Sequence, residues 1–205
     1  AETEEGASEY AARLDQANRD RQKYTEEIMA AARAAVAEMG ERKVYCVCGD
    51  GWAAGIVGLV AGKLVSDLGR PVFVFGKDGD RIVGSGRSIP GFDVVKAMER
   101  AKEHLARFGG HPQACGLTIM GAGNYEAFCS AVGEYADEAL AGTDLRPALD
   151  LDAELRMSQV TWDLVDWIAK LEPYGEGNPR PRFLLRGLQV SAVDIIGKTR
   201  NTVRV

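Results

Sequence analysis

The sequence predicts an α/β fold in which helices flank a mixed sheet, a long helix precedes the sheet and a β-rich unit follows it. Three observations predict this order. Residues 8–39 contain no Gly or Pro and repeat apolar side chains at helical spacing. Short apolar runs then alternate with helical stretches and one hairpin as far as Gly142, which is typical of a mixed sheet. After Gly142 the pattern changes to short alternating strands.

The long helix carries a single thin apolar stripe, and Gly40 fits its C-terminal stop. The stripe consists of Leu14, Ile28, Ala32, Val36 and Met39. A helix with so narrow an apolar face is expected to act as a connector or to lie along a partner domain.

Residues 43–142 contain the elements of the expected sheet. We expect strands at 44–48, 71–75, 81–84 and 115–120. We expect helices at 56–68, 93–107 and 124–141, and Asp93 as an N-cap. A hairpin turn is expected at 76–80, and Gly-rich loops at 85–91 and 108–112.

The β-rich unit after Gly142 is expected to begin with a strand at 148–155 and a short helix at 161–171. A rigid Gly- and Pro-rich loop follows at 172–181. Further strands are expected at 183–196 and 202–205, joined by a turn at Gly197-Lys198. This pattern predicts that the unit is the beginning of a second domain.

Composition and charge limit the class of protein. The 205 residues include 25 Lys and Arg against 30 Asp and Glu, a net charge of −5, and 46% are hydrophobic. These values exclude a disordered chain and a disulfide miniprotein. No apolar run approaches the ~20 residues of a membrane helix, and no leader is visible, so we expect a cytoplasmic protein without a membrane partner. Because the chain begins with Ala1 and ends inside an apparent strand, we expect a piece of a longer protein.

The four cysteines are interpreted as reduced thiols. Cys46 and Cys48 lie one residue apart on an expected strand, so they point to the same face. A zinc site is the alternative, but C-x-C without a second cysteine pair or a nearby His is a weak signal for it.

Three Gly-rich loops are candidate anion sites, since exposed backbone N–H groups and helix N-termini attract phosphate. The first, residues 49–55, approaches a dinucleotide fingerprint, but its third Gly falls one position late and Asp50 occupies the turn. A tight strand-to-helix connection is the alternative. Trp52 offers a stacking face for a base, or else packs in the core.

The second and third loops carry the residues best suited to phosphate. Ser85, Arg87 and Ser88 combine hydroxyls with a guanidinium that can form a bidentate contact; an ordinary surface arginine is the alternative. His111 follows Gly109 and Gly110, and these glycines allow another backbone to approach. It is either a catalytic or a structural histidine.

Several catalytic motifs are absent from the sequence. There is no nucleophile elbow, no G-x-x-x-x-G-K-[ST] loop and no H-E-x-x-H. His104 and His111 are the only histidines, and no clustered carboxylates accompany them, so we expect no metal site in this chain. The residues predict a binding domain, not a complete enzyme.

Residues 84–93, 107–112 and 171–179 resemble, in order and spacing, three motifs of the RecJ family, single-strand-specific DNA exonucleases of the DHH phosphoesterase superfamily. Residues 51–61 are similar to the family's G-W-H-x-G-V-I-G-I-V-A segment, with Ala53 in place of His. In the long helix, Leu14-Asp15, Asn18 and Arg21 resemble the family's connecting helix.

The resemblance implies a domain order and a function. Residues 1–42 would be the connecting helix, 43–142 the DHH-associated domain and 148–205 the beginning of an oligonucleotide-binding (OB) barrel. The family degrades single-stranded DNA from its 5′ end in DNA repair and recombination. Its separate N-terminal domain binds two Mn²⁺ or Mg²⁺ ions. The implied partners are therefore single-stranded DNA and that catalytic domain, with no cofactor in this chain, which alone is expected to be inactive.

The resemblance also assigns roles to residues. Ser85 and Arg87 would hold the 5′ phosphate, with Ser88 beside them. His111, presented by Gly109 and Gly110, would face the scissile phosphate. Two alternatives stay open: a sibling phosphoesterase acting on cyclic dinucleotides or short oligonucleotides, and a non-catalytic relative of the replication-factor type. The segment 175–179 and the β-rich unit disfavour the first, and only sequence upstream of Ala1 separates the second.

Overall fold

The computed structural model describes residues 3–146, 148–197 and 202–204, and the chain divides into two compact units, Ala1–Arg146 and Pro147–Val205. The helices of the first unit are α1 (Glu4–Met39), α2 (Ala54–Leu68), α3 (Val94–Arg100) and α4 (Tyr125–Ala139). Its strands are β1 (Tyr45–Asp50), β2 (Val72–Asp78), β3 (Arg81–Arg87), β4 (Leu105–His111) and β5 (Ala114–Ile119). None of the described helices combines the length and apolar character needed to cross a bilayer.

The five strands form one mixed sheet in the order β1-β2-β3-β5-β4, which confirms the predicted fold class. Strands β1 and β2 are parallel and α2 connects them, because parallel neighbours need a crossover. The other neighbours are antiparallel. The hairpin turn lies between Asp78 and Arg81, as the sequence predicts.

Each face of the sheet packs against a different pair of helices. One face, with Val47, Val72 and Val74, packs on α2 and on the C-terminal half of α1; the N-terminal half of α1 is exposed. The other face packs on α3 and α4. There the Phe128 ring lies edge-to-face against the rings of Phe73 and Phe75, with a distance of 5.6 Å between ring centroids in each pair.

Two expected loops are strands in the structure. Strand β3 continues through Ser85 to Arg87, and β4 runs from Leu105 to His111, so the expectations of loops at 85–91 and 108–112 are wrong over these residues. The helix expected to reach Arg107 ends at Arg100, and a 3₁₀ turn leads into β4. The error has a physical cause: glycine in a strand often marks a close backbone approach and not a turn.

The second unit contains short elements. Strand β6 (Ala153–Leu155) lies parallel to β7 (Phe183–Leu185), and β8 (Asp194–Ile196) lies antiparallel to β9 (Thr202–Arg204). Helix α5 spans Trp162–Ala169. The strands expected at 148–155 and 183–196 are therefore shorter than predicted. Lys198 of the expected turn and Val205 of the last expected strand lie outside the described residues.

The Gly- and Pro-rich loop of the second unit is held by hydrogen bonds. The Asn178 side-chain amide donates to the carbonyl of Leu171 at 2.9 Å and to that of Pro173 at 3.0 Å. The Tyr174 hydroxyl donates to the Ile168 carbonyl. These bonds tie the loop to the C-terminal end of α5.

We predict that Phe128→Ala lowers the free energy of unfolding by about 3–5 kcal/mol, because the fully buried ring leaves a cavity between α4 and the sheet. Urea titration followed by circular dichroism measures the effect. Phe108→Ala is the matched control: its ring is 39% exposed at the sheet edge, so we expect a loss of about 1 kcal/mol or less. Equal losses in the two variants would contradict this account of the core.

Candidate nucleic-acid interface

Three parallel rows of residues cross the sheet on the face that α1 and α2 partly cover. The rows are Tyr45–Val72–Arg87–Ala114–His111, Val47–Val74–Ser85–Gly116–Gly109 and Gly49–Gly76–Val83–Thr118–Arg107. Because residues paired across a sheet point to the same side, Ser85, Arg87 and His111 share this face. The two helices cover the β1 and β2 ends of the rows. The β5 and β4 ends are open.

The open part of this face forms a shallow groove of about 350 Å³. Gly109 and Gly116 lie opposite each other in its floor, and a Cβ built on either would meet nothing within 4 Å. The Arg107 side chain and the half-buried Thr118 border it. The backbone of the sheet is therefore accessible here without the displacement of a side chain.

Neutral oxygens hold Arg87, which lies in the row next to the Gly116–Gly109 row of the groove. Its Nη1 donates to the Ser85 hydroxyl at 2.8 Å and to the Gly86 carbonyl at 2.9 Å. The Ser85 hydroxyl in turn donates to the Cys115 carbonyl at 2.9 Å. Among the ion pairs of the described residues none involves Arg87. The guanidinium is thus oriented, half-buried and without a carboxylate partner in the part of the chain the structure describes.

Helix α2 lies close to this arginine because Gly58 has no side chain. A Cβ at Gly58 would lie 3.2 Å from Nη2 of Arg87 and 3.2 Å from Oγ of Ser85. Contacts this short require the neighbouring atoms to move. The bare backbone of α2 therefore forms one wall around the guanidinium.

A second cavity, of about 610 Å³, lies between α1 and α2 and ends at Arg87. Arg21 and Lys63 line it together with Arg87, whereas Glu26 is the acidic residue of its lining. The sequence alone does not predict Arg21 and Lys63 as residues of the site. Arg21 belongs to a motif of the connecting helix, but neither residue carries a local signal, because only the packing of α1 on α2 brings them to Arg87.

His111 ends β4 in the same row as Arg87, with Ala114 between them. At the usual spacing of strands, the two Cα atoms are about 10 Å apart. His111 is exposed. The structure thus brings Arg87, Ser85, Gly109 and His111 together on one accessible face.

Gly110 shapes the hairpin that presents His111. Its φ is +152°, and a Cβ there would lie 2.3 Å from the Ala114 carbonyl oxygen and 2.6 Å from the Cys115 Cα. The expected close approach of another backbone is therefore found at Gly110, and the approaching backbone is β5 of the same hairpin.

Ser88 and Trp52 do not belong to the row of residues that contains Arg87 and His111. The Ser88 hydroxyl donates to the Phe92 carbonyl at 2.6 Å and so serves the turn before α3. The half-buried Trp52 indole lies on the backbone of Gly49, where a Cβ would be 2.0 Å from its Cε2. The indole also packs against the α1–α2 core, as expected for a packing role of Trp52.

Two further observations concern metal binding and Ala53, which stands where the RecJ family has His. Within the described ranges, no group of three or more His, Cys, Asp or Glu side chains could hold a metal ion. Ala53 is the N-cap of α2 and makes no side-chain capping bond.

Comparison with known proteins gives consistent matches for both units. Residues 21–138 match the family described as the DHHA1 domain, and residues 151–205 match the RecJ OB domain. The single-stranded-DNA-specific exonuclease RecJ of Bacillus subtilis is 33% identical over 202 residues, which are 97% of this chain and 26% of the relative. That of Thermus thermophilus is 36% identical over 139 residues, 65% of this chain and 19% of the relative.

A solved structure agrees with these matches. The crystal structure of RecJ in complex with Mn²⁺ from Thermus thermophilus has 27% sequence identity and a TM-score of 0.81, and the match covers 97% of this chain and 29% of that chain. The chain belongs to the DHHA1 domain family. The separate match of residues 151–205 to the RecJ OB domain, together with the RecJ relatives, confirms the predicted RecJ resemblance. The chain spans about a quarter of the length of the Bacillus subtilis relative.

We predict that Gly110→Ala lowers the free energy of unfolding by about 1–3 kcal/mol, because alanine is strained at this φ and its Cβ meets β5. Gly109→Ala is the adjacent control, with open space above it, and we expect a change of about 1 kcal/mol or less. Thermal unfolding of both variants measures the difference. A Gly110→Ala protein as stable as the Gly109→Ala protein would show that the hairpin tolerates a side chain at this position.

Proposed function

We propose that the first unit binds the 5′-phosphorylated end of single-stranded DNA and positions it for 5′→3′ exonucleolytic hydrolysis. The metal-dependent catalytic domain for that reaction is not among the residues of this chain. The observation that carries the proposal is the guanidinium of Arg87, oriented by Ser85 without a carboxylate partner among the described residues, in one row with His111 on an accessible face. The RecJ relatives, described as single-stranded-DNA-specific exonucleases, support it.

The terminal phosphate binds Arg87 through the N–H groups that do not donate to Ser85 or Gly86. A terminal phosphate carries more negative charge than an internal one, so a cation favours the strand end. Ser85 acts by orienting the guanidinium, because its own proton is donated to Cys115. Arg21 and Lys63, on the walls of the adjoining cavity, add positive charge.

The strand then continues across the glycine floor of the groove towards β4. Gly109 and Gly116 allow the sugar-phosphate backbone to lie against the sheet, and Arg107 offers a further phosphate contact. The His111 imidazole can donate an N–H to an oxygen of an internal phosphate, because it lies about two strand spacings from Arg87. Contacts at both positions hold the scissile bond in a fixed place, which is the contribution of positioning to catalysis.

The second unit favours a polymeric substrate over a cyclic dinucleotide. Residues 151–205 match the RecJ OB domain, and OB folds bind strands of several nucleotides. A non-catalytic relative of the replication-factor type would bind the same strand. Sequence upstream of Ala1, with or without an Asp-His-His run, separates it from the nuclease.

We predict that Arg87→Ala abolishes a preference for 5′-phosphorylated over 5′-hydroxyl oligonucleotides. We expect that preference to be on the order of tenfold in the unchanged chain, the value of one charge-assisted contact. Fluorescence anisotropy with a labelled 3′ end at low salt measures both affinities. Arg81→Ala is the matched control, since Arg81 is exposed at the other end of β3 and its loss removes the same charge. Its preference should be unchanged. The assignment of Arg87 is wrong if both variants keep the preference or if both lose it.

We predict that Gly58→Ala weakens binding of the 5′-phosphorylated end several-fold, because its Cβ displaces the guanidinium and the Ser85 hydroxyl. Gly62→Ala lies one turn along α2, where a Cβ meets nothing within 4 Å, and should bind within about twofold of the unchanged chain. Both changes raise helix propensity by up to ~1 kcal/mol, and only the Cβ at Gly58 also displaces neighbouring atoms. The test is therefore the affinity from the same anisotropy titration. Equal affinities of the two variants would contradict the role of the bare backbone of α2.

A further inference from the structure

Three of the four thiols lie together where β1 meets α4, away from the proposed interface. Cys46 and Cys48 are on β1, Cys129 is on α4, and all three pack against the core on that face of the sheet. Tyr125 lies one turn before Cys129 on α4. The fourth thiol, Cys115, is buried on β5 beside β3, where a Cβ on Gly86 would lie 2.6 Å from its Sγ.

Within this group, Cys46 and Cys129 are direct partners. Cys46, Cys129 and Tyr125 line the same cavity, whereas Cys48 is not part of its lining. Hydrogen bonding from Cys46, helped by Tyr125, lowers the pKa of Cys129 against the opposing effect of burial. The same pairing, together with burial, raises the pKa of Cys46. Cys129 is therefore the thiol of the pair that ionises first.

A cavity of about 310 Å³ opens at this pair and gives access to it. Cys46 and Cys129 both line the cavity, and the side chains of Arg42 and Lys43 lie at its edge with Glu126 and Asp137. Both cysteines are half-buried, whereas Cys115 is buried. The cavity is large enough for a small oxidant to reach the sulfur of Cys129.

We propose that Cys46 and Cys129 form a reversible dithiol–disulfide pair that hydrogen peroxide oxidises. The Cys129 thiolate attacks one peroxide oxygen, the O–O bond breaks, and the leaving hydroxide takes a proton to become water. The Cys46 thiol then attacks the sulfur of the resulting sulfenic acid, and a second water leaves with the thiol proton. Two thiols and one peroxide give one disulfide and two waters, and a dithiol reductant reverses the reaction.

The other two cysteines, Cys48 and Cys115, are poorer partners for this reaction. Burial and the Asp50 carboxylate raise the pKa of Cys48, so its thiolate is less available. Burial raises the pKa of Cys115 to about 11. A zinc site in place of the disulfide is not supported, because Cys46, Cys48 and Cys129 do not form a group that could hold a metal ion within the described residues. The pair thus stands apart from the other two cysteines in both geometry and reactivity.

The test is peptide mapping of the 205-residue chain after treatment with hydrogen peroxide and alkylation of the remaining thiols. We expect a disulfide-linked peptide containing Cys46 and Cys129, alkylated Cys48 and Cys115, reversal by dithiothreitol, and a higher thermal midpoint for the oxidised chain, since the link joins β1 to α4. Cys48→Ser should keep the linked peptide, and Cys129→Ser should lose it. The proposal is independent of nucleic-acid binding.

Four outcomes would overturn the proposal. These are four alkylated thiols after peroxide, a disulfide between two chains through Cys48, irreversible oxidation of Cys129 without a link, and a linked peptide that persists in Cys129→Ser. Each is read from the peptide map of the unchanged chain or of a variant that differs at one sulfur. Loss of folding in a variant does not affect the measurement on the unchanged chain.

Discussion

The rest of the first unit depends on one contact, in which two glycines of β3 pack against two phenylalanine rings. A Cβ on Gly84 would lie 2.3 Å from the Phe75 ring, and one on Gly86 would lie 2.7 Å from the Phe73 ring. These rings fill the core with Phe128. No other residue type fits between the sheet and this cluster, so the glycines must face the core. A shift of one residue would bury Ser85 and Arg87 in the apolar core instead.

The position of the proposed interface follows from that register. Since Gly84 and Gly86 face the α4 side, alternation along the strand sends Ser85 and Arg87 to the opposite face. The antiparallel pairing with β5 and β4 then carries the row from Arg87 through Ala114 to His111. The same glycines that the core requires therefore place the cation and the imidazole on one surface. The packing of the core thus determines the face of the sheet on which the site residues lie.

The sequence predicted the order of elements better than their ends. The long helix, the helices after β1 and β5, the hairpin before β3 and the RecJ resemblance are all found in the structure. The C-terminal end of β3 and the whole of β4 were missed, because Gly86, Gly109 and Gly110 resemble loop residues when only their sequence neighbours are considered. Their strand conformation depends on partners distant in sequence. Arg21 and Lys63 were missed for the same reason, since helix packing alone brings them beside Arg87.

The electrostatic state of Arg87 explains how a chain with net charge −5 can offer a site for an anion. Other arginines of the described residues, such as Arg33 and Arg100, pair with carboxylates of neighbouring elements. Arg87 instead donates from one nitrogen to two neutral oxygens, which orient it but do not neutralise it. Partial burial removes some of the water that would otherwise stabilise the charge. The phosphate that we propose as ligand would supply a charged partner, and at a Debye length of about 8 Å distant carboxylates would oppose it little. The proposal therefore rests on local geometry and not on net charge.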